Sequence, residues 1–237
     1  MLCRAKENAA REAERMRSLG AEPLFQTYVP GRNMVLTILV DQQGSVVAGM
    51  AQKEMYEGPW RPMANFRAVT IAIDKDLLKR CQNLLSKIHW FGLACFQFQM
   101  TDDGTPFLID FNGRAVWDSA LASACGMKGH DTWARLAIGA QPPERRVIFV
   151  PEGACYQDIE NDLRHALLSV REPRRFLSEL AQFLSYTRNS VHPIFARDDV
   201  FPAISYLAKI PRRVLLKTKH LVGRYSFLRR AKSRTRH

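Results

Sequence analysis

Residues 92–114, Gly-Leu-Ala-Cys-Phe-Gln-Phe-Gln-Met-Thr-Asp-Asp-Gly-Thr-Pro-Phe-Leu-Ile-Asp-Phe-Asn-Gly-Arg, constrain the fold more than any other stretch. Two alternating apolar runs, 93–100 and 106–111, flank a turn over 101–105 that contains Asp-Asp-Gly, and this predicts an antiparallel hairpin. Side chains on a strand alternate between faces, so Asp110 and Asn112 project the same way and Gln97 on the partner strand can sit beside them. One carboxylate and two carboxamide oxygens suit a hard cation such as Mg²⁺, which takes its other ligands from water and nucleotide phosphates. Arg114, just past the strand, offers a planar fork of donors to a phosphoryl or carboxyl oxygen. As spacing alone, Asp-x-Asn at a strand end is also the composition of an ordinary turn.

The chain has 237 residues, 46% of them hydrophobic, which is ample for a large core. No apolar run reaches the ~20 residues needed to span a bilayer, and Met1-Leu-Cys-Arg-Ala-Lys-Glu lacks the apolar centre of a secretion signal, so the expected location is the cytoplasm. The five cysteines, Cys3, Cys81, Cys95, Cys125 and Cys155, are widely spread without metal-ligand spacing and read as reduced, packed thiols.

In chain order, residues 4–19 read as a helix stopped at Gly20. Pro23-Leu-Phe-Gln-Thr-Tyr-Val-Pro-Gly31 reads as a short strand and turn, and 34–41 with 45–52 as a hairpin around Asp41-Gln-Gln-Gly44. A turn-rich loop, 53–62, carries Lys53 and Arg61. A strand over 68–73 leads to Asp74, which can cap a helix running to about His89, and His89 itself reads as half-buried. One helix is expected over 118–138, beginning near Asp118 and stopped by Gly139. Beyond Pro142-Pro143 the pattern is a short strand, 147–150, and helices near 156–170, 173–188, 200–209 and 212–230, with prolines including Pro211 as breaks. The division expected is 1–141 and a basic, mainly helical extension, 142–237.

Gln97-Phe98, Leu108-Ile-Asp-Phe-Asn-Gly-Arg114, Ser119-Ala-Leu-Ala-Ser-Ala-Cys-Gly126 and Ala134-Arg-Leu-Ala-Ile-Gly139 together resemble the magnesium-binding end of ATP-grasp enzymes, in the carbamoyl-phosphate-synthase-like branch. The resemblance implies an α+β, ATP-grasp-like fold with a mainly antiparallel sheet and flanking helices. It also implies an ATP-dependent ligase that joins a carboxylate to an amine or thiol through an acyl phosphate. Gln97, Asp110 and Asn112 would hold Mg²⁺ (or Mn²⁺) beneath ATP, Arg114 would stabilise the acyl phosphate, and Ile109 would border the nucleotide. The stretch before Gly31 resembles the family's adenine hinge, which puts adenine against Gln26, Thr27, Tyr28 and Val29. Asn33 would stand near the ribose, and Lys53 and Arg61 near phosphate or substrate. Three positions depart from the usual acidic pattern: Asp110 where Glu is common, and Thr27 and Asn33 where a carboxylate is. The last two changes each remove a charged acceptor worth ~1.5–3 kcal/mol.

The resemblance covers roughly 20–140. The family also has an earlier lid, with a Gly-rich loop and a lysine over the phosphates, and no Gly-rich stretch precedes Gln26, while Lys6 has no such loop around it. The expectation is a longer gene, a second chain that supplies the lid, or a degenerate, non-catalytic nucleotide-binding or scaffold relative. Residues 209–237 hold eleven Lys and Arg and no acid, with Leu215, Leu216, Leu221, Val222, Phe227 and Leu228 among them. Such a segment can rest on an anionic membrane surface on the inner side, bind a polyanion, or form a solvated terminal helix. Specific nucleic-acid binding is not expected, because no base-reading module accompanies the charge.

Overall fold

The computed structural model describes residues 6–55, 66–116, 119–140, 147–170, 172–195 and 199–213. Arg61, Asp118, Cys3 and the basic segment beyond 213 lie outside the described residues. The fold is α+β, built on one mainly antiparallel sheet.

At its centre lies β1 (Arg32–Val40), whose apolar, β-branched sequence is buried from Met34 onward. One edge of β1 pairs antiparallel with β2 (Val46–Glu54) and the other with β4 (Gly92–Met100). The β1–β2 turn is the expected one: Asp41 Oδ1 accepts from the backbone N–H of Gln43 and Ser45, and Gly44 takes the positive φ of 78° that the turn requires. Beyond β2 lies β3 (Arg67–Ile71), and beyond β4 lies β5 (Pro106–Asn112), an edge strand.

Alternation gives the sheet two apolar faces. A first helix, α1 (Lys6–Ser18), precedes the sheet; on one face of the sheet Leu36, Ile38, Val40, Ala51, Ala94, Phe96 and Phe98 pack against Leu77, Cys81 and Leu85 of α2 (Lys75–Lys87). Asp74 caps that helix by accepting from the N–H groups of Asp76 and Leu77, worth ~1 kcal/mol. Burial pushes the Cys81 thiol up to about 11, as befits a packing residue. On the other face, Leu39, Ala48, Met50, Ala68 and Leu93 pack against Leu121, Ala122 and Met127 of the segment holding α3 (Ser119–Ala124) and α4 (Gly129–Ala137).

Several expectations need correction. Residues 23–30 form no strand, because Pro23 and Pro30 have no N–H for a ladder and both edges of β1 are already paired. The helix expected over 118–138 is broken into α3 and α4 at Gly126, whose φ of 90° is left-handed, while the Met127 N–H closes back on the Ala122 carbonyl. His89 is exposed rather than half-buried: it takes the left-handed position after α2, with φ 50°. Lys53, expected in a loop, lies within β2.

Beyond 142 the short strand expected over 147–150 is β6 (Ile148–Phe149), beside β2, and the region expected to be helical after it supplies two more strands to the same sheet, β7 (Cys155–Gln157) beside β3 and β8 (Ser190–Val191) beside β7. Between β7 and β8 run α5 (Ile159–Leu168) and α6 (Pro173–Asn189). A further helix over 201–213 continues through Pro211, where a break was expected. Among the described residues no helix is long and apolar enough to cross a membrane.

A buried charge cluster ties these later elements to the sheet. The Arg67 guanidinium forks onto Asp162, with Nε donating to Oδ2 at 2.8 Å and Nη2 to Oδ1 at 2.7 Å, and Nη1 donates to Gln182 at 2.9 Å. Gln157 donates to the same carboxylate at 2.6 Å, and the ring of Tyr186 lies under the guanidinium at 5.0 Å. His165 stacks on Phe66 at 5.0 Å, with Nε2 3.3 Å from Glu179. Burial holds its pKa below the ordinary value, the nearby Glu179 pulling the other way.

Replacing Arg67 by Met leaves Asp162 buried without its counter-charge and is expected to cost ~3–5 kcal/mol in urea unfolding; a loss under 1 kcal/mol contradicts this account. The unfolded chain takes up a proton at His165 near pH ~6.5 and the folded one only at lower pH. Stability is therefore full above that value and falls as pH drops through it, and His165→Gln is expected to flatten the slope of stability between about pH 7.5 and 5.5.

Candidate functional site

The β4–β5 register decides which side chains meet. Gln97 stands opposite Asp110 and Cys95 opposite Asn112, with an irregularity between Gln97 and Phe98. Because Phe98 pairs with Leu108, Ile109 is the extra residue of a β-bulge, half exposed at the sheet edge. The bulge sets Asp110 and Asn112 on the face opposite Phe96 and Phe111, so the three expected oxygen-bearing residues share a face. Asp110 Oδ2 accepts from Asn112 Nδ2 at 2.8 Å and its Oδ1 from the Phe111 N–H at 2.9 Å. That pair of bonds fixes the carboxylate and turns the Asn112 carbonyl oxygen away from it.

Immediately after Asn112 the chain passes Trp90. A Cβ on Gly113 would meet the indole at 2.2 Å, so glycine is required there, and the ring also meets Phe111 edge-on at 5.6 Å. Arg114 follows, exposed, with one guanidinium nitrogen donating to the Ala115 carbonyl at 3.1 Å.

The same face carries more polar groups than the sequence reading singled out. Asn33 on β1 is the cross-strand partner of Gln99, and its Nδ2 donates to Glu54 Oε1 on β2 at 2.9 Å. Gln52 lies on this face too, opposite Val35, and both Gln52 and Gln99 are buried. A polar belt therefore crosses four strands, from Glu54 and Gln52 through Asn33 to Gln99 and Gln97, and then to Asp110 and Asn112. Its sequence signal is three polar pairs spaced i, i+2 within apolar strands: Gln52/Glu54, Gln97/Gln99 and Asp110/Asn112. Glu54 restores, from the neighbouring strand, a carboxylate beside Asn33.

Not every expected residue joins this belt. Lys53 pairs with Met34 and shares the α2 face with Ala51, on the opposite side of the sheet. Gln26, Thr27 and Tyr28 are exposed and Val29 is half-buried, in backbone without regular structure. Gly31 anchors that segment: with φ 144°, a Cβ there would meet the Met100 carbonyl oxygen at 2.0 Å. Among the described residues no three His, Cys, Asp or Glu side chains form a metal cluster, so a cation here would rely on one carboxylate and carboxamides.

No family model matches the chain, and no curated protein matches it. Solved structures do. N5-carboxyaminoimidazole synthetase from Staphylococcus aureus, complexed with ADP, superposes with a TM-score of 0.55 at 13% identity, over 73% of this chain and 47% of that one. The biotin carboxylase domain of a thermophilic 2-oxoglutarate carboxylase, bound to bicarbonate, gives 0.50 at 14% identity, over 65% and 37%. The chain spans between about a third and a half of the length of these structures. At this identity the likeness shows the fold alone: the chain has the α+β, ATP-grasp-like architecture of the part of these structures that it covers.

Proposed function

We propose that this chain carries the metal-binding half of an ATP- and Mg²⁺-dependent ligase that joins a carboxylate to an amine or thiol. The observation that carries this reading is the bulged β4–β5 register, which sets Gln97, Asp110 and Asn112 on one face of the sheet. Their oxygen-only donor set fits a single hard divalent cation that keeps water and phosphate ligands. When bound, Mg²⁺ (or Mn²⁺) would neutralise charge on the ATP phosphates. The neighbouring synthetase was solved with ADP and the neighbouring carboxylase domain with bicarbonate, a nucleotide and a carboxylate of the classes this reading requires.

The chain's own residues take distinct parts. Asp110 and Asn112 hold each other through the Nδ2–Oδ2 bond, and a cation bound by both replaces that bond as the Asn112 carbonyl oxygen turns toward it. Arg114, with most of its fork free for solvent, is placed to bind the oxygens of an acyl phosphate and to stabilise the oxyanion formed when the amine attacks. Ile109, at the bulge, offers an apolar edge to the nucleotide. Asn33 and Glu54 together are the ribose-hydroxyl acceptors, and residues 26–29 border the adenine. Lys53 lies on the far face of the sheet, away from the belt. For phosphoryl transfer, a lysine and a glycine-rich loop over the phosphates would complete the site.

A non-catalytic nucleotide-binding role is the second reading, favoured by Asp110 being the single carboxylate of the triplet. The two differ in outcome: a ligase releases ADP and phosphate from ATP only when a carboxylate and an acceptor amine are both supplied.

Calorimetry with ATP is expected to reveal binding that needs Mg²⁺, and Asp110→Asn to weaken it by about tenfold or more, consistent with loss of a charged ligand. Equal binding by the variant rules the assignment out. Glu54→Ala is expected to weaken Mg-ATP by about tenfold while leaving Mg²⁺ with inorganic triphosphate unchanged, the mark of a ribose contact; an equal loss for both ligands contradicts that role.

A further inference from the structure

The helix over 201–213 uses only one side to hold itself to the protein. Ala203, Tyr206 and Ile210 face inward, the latter two into a cluster with Ile159, Leu163 and Leu167 of α5 and Phe183 of α6. Arg213 adds a tether, 3.5 Å from Glu160 and with its guanidinium 5.3 Å over the Tyr206 ring. With that side committed, Phe201, Ile204 and Leu207 recur at intervals of three on the outer surface, 79%, 59% and 40% exposed, and Val200 precedes them. Lys209 and Arg212, both exposed, flank the end of this stripe.

Such a stripe on a docked helix is normally found under a partner. The charge around it selects the partner: from residue 200 to 237 there are eleven Lys and Arg and no Asp or Glu. A nucleic acid would answer the charge but gives aliphatic side chains no apolar layer to enter. An acidic protein surface would answer a local patch, whereas these cations run on for the remaining length of the chain. An anionic bilayer answers both, with headgroup charge for the cations and hydrocarbon just beneath for Phe201, Ile204 and Leu207.

We propose that the outer face of helix 201–213 is a membrane-surface docking site for anionic lipid, seated by Phe201, Ile204 and Leu207 and held by Lys209 and Arg212 at its end. The helix lies in the interface plane and does not span. Its apolar side packs on α5 and on Phe183 of α6. This inference is independent of the nucleotide reading.

The test is flotation of the whole chain with vesicles of phosphatidylglycerol and phosphatidylcholine, against phosphatidylcholine alone. The expected result is binding to the anionic vesicles only, reduced by raised salt, and weakened by about tenfold or more in Phe201→Ser/Ile204→Ser although every cation remains. Retention of that variant on heparin should be unchanged, and its urea midpoint should match the unaltered chain because both side chains are exposed. Undiminished vesicle binding by the variant overturns the proposal. So does binding of the unaltered chain to polyuridine with none to anionic vesicles.

Discussion

Both edges of β1 are occupied along its length, and most of the molecule follows from that. Pairing with β2 on one side and β4 on the other puts Leu36, Ile38 and Val40 under α2, and Leu39 under the α3–α4 segment. A one-residue slip in either ladder would swap the set packed under α2 with the set packed under the α3–α4 segment and carry the polar belt onto the α2 face, so packing on two faces fixes the register strongly. The polar belt depends on this twice over. Asn33 reaches Glu54 across one ladder, and Gln97 and Gln99 stand in line with it across the other. Only then does the β5 bulge bring Asp110 and Asn112 to the same row.

The Arg67–Asp162 pair is a second constraint of a different kind. Its desolvation is costly, and its value lies in specifying where α5 and α6 sit against β3 and β7. Those helices in turn seat the helix over 201–213 through Ile159, Phe183, Tyr206 and Ile210. One connected framework therefore supports the belt at one end of the sheet and the amphipathic helix near the other.

How much of this was legible in the sequence depended on range. Local signals were reliable: the Asp41–Gly44 turn, the Asp74 cap, the stop at Gly139, and the hairpin that sets Gln97 beside Asp110 are written in neighbouring residues. Long-range pairing was not. Nothing adjacent to Arg67 announces Asp162, 95 positions away, and the three- and two-residue strands β7 and β8 are too short for a periodic signal. Lys53 could be placed in a loop because Lys-Glu-Met-Tyr-Glu-Gly-Pro has turn composition; the ladder to Met34 overrides it. Glu54 gives no local signal either, since only cross-strand register puts it beside Asn33. Residues 23–30 read as a strand from their apolar content, but both edges of β1 are already paired and Pro23 and Pro30 have no N–H to give a ladder.

The central claim is that Gln97, Asp110 and Asn112 surround one divalent cation carried with ATP. The most direct measurement is the effect of Mn²⁺-ATP on the side-chain amide NMR signals of the protein. The account predicts selective paramagnetic broadening of the Gln97 and Asn112 NH₂ resonances, with the amide of the distant Asn189 unaffected, and loss of that broadening in Asp110→Asn. Broadening that spares Gln97 and Asn112, or that survives the substitution unchanged, would contradict it.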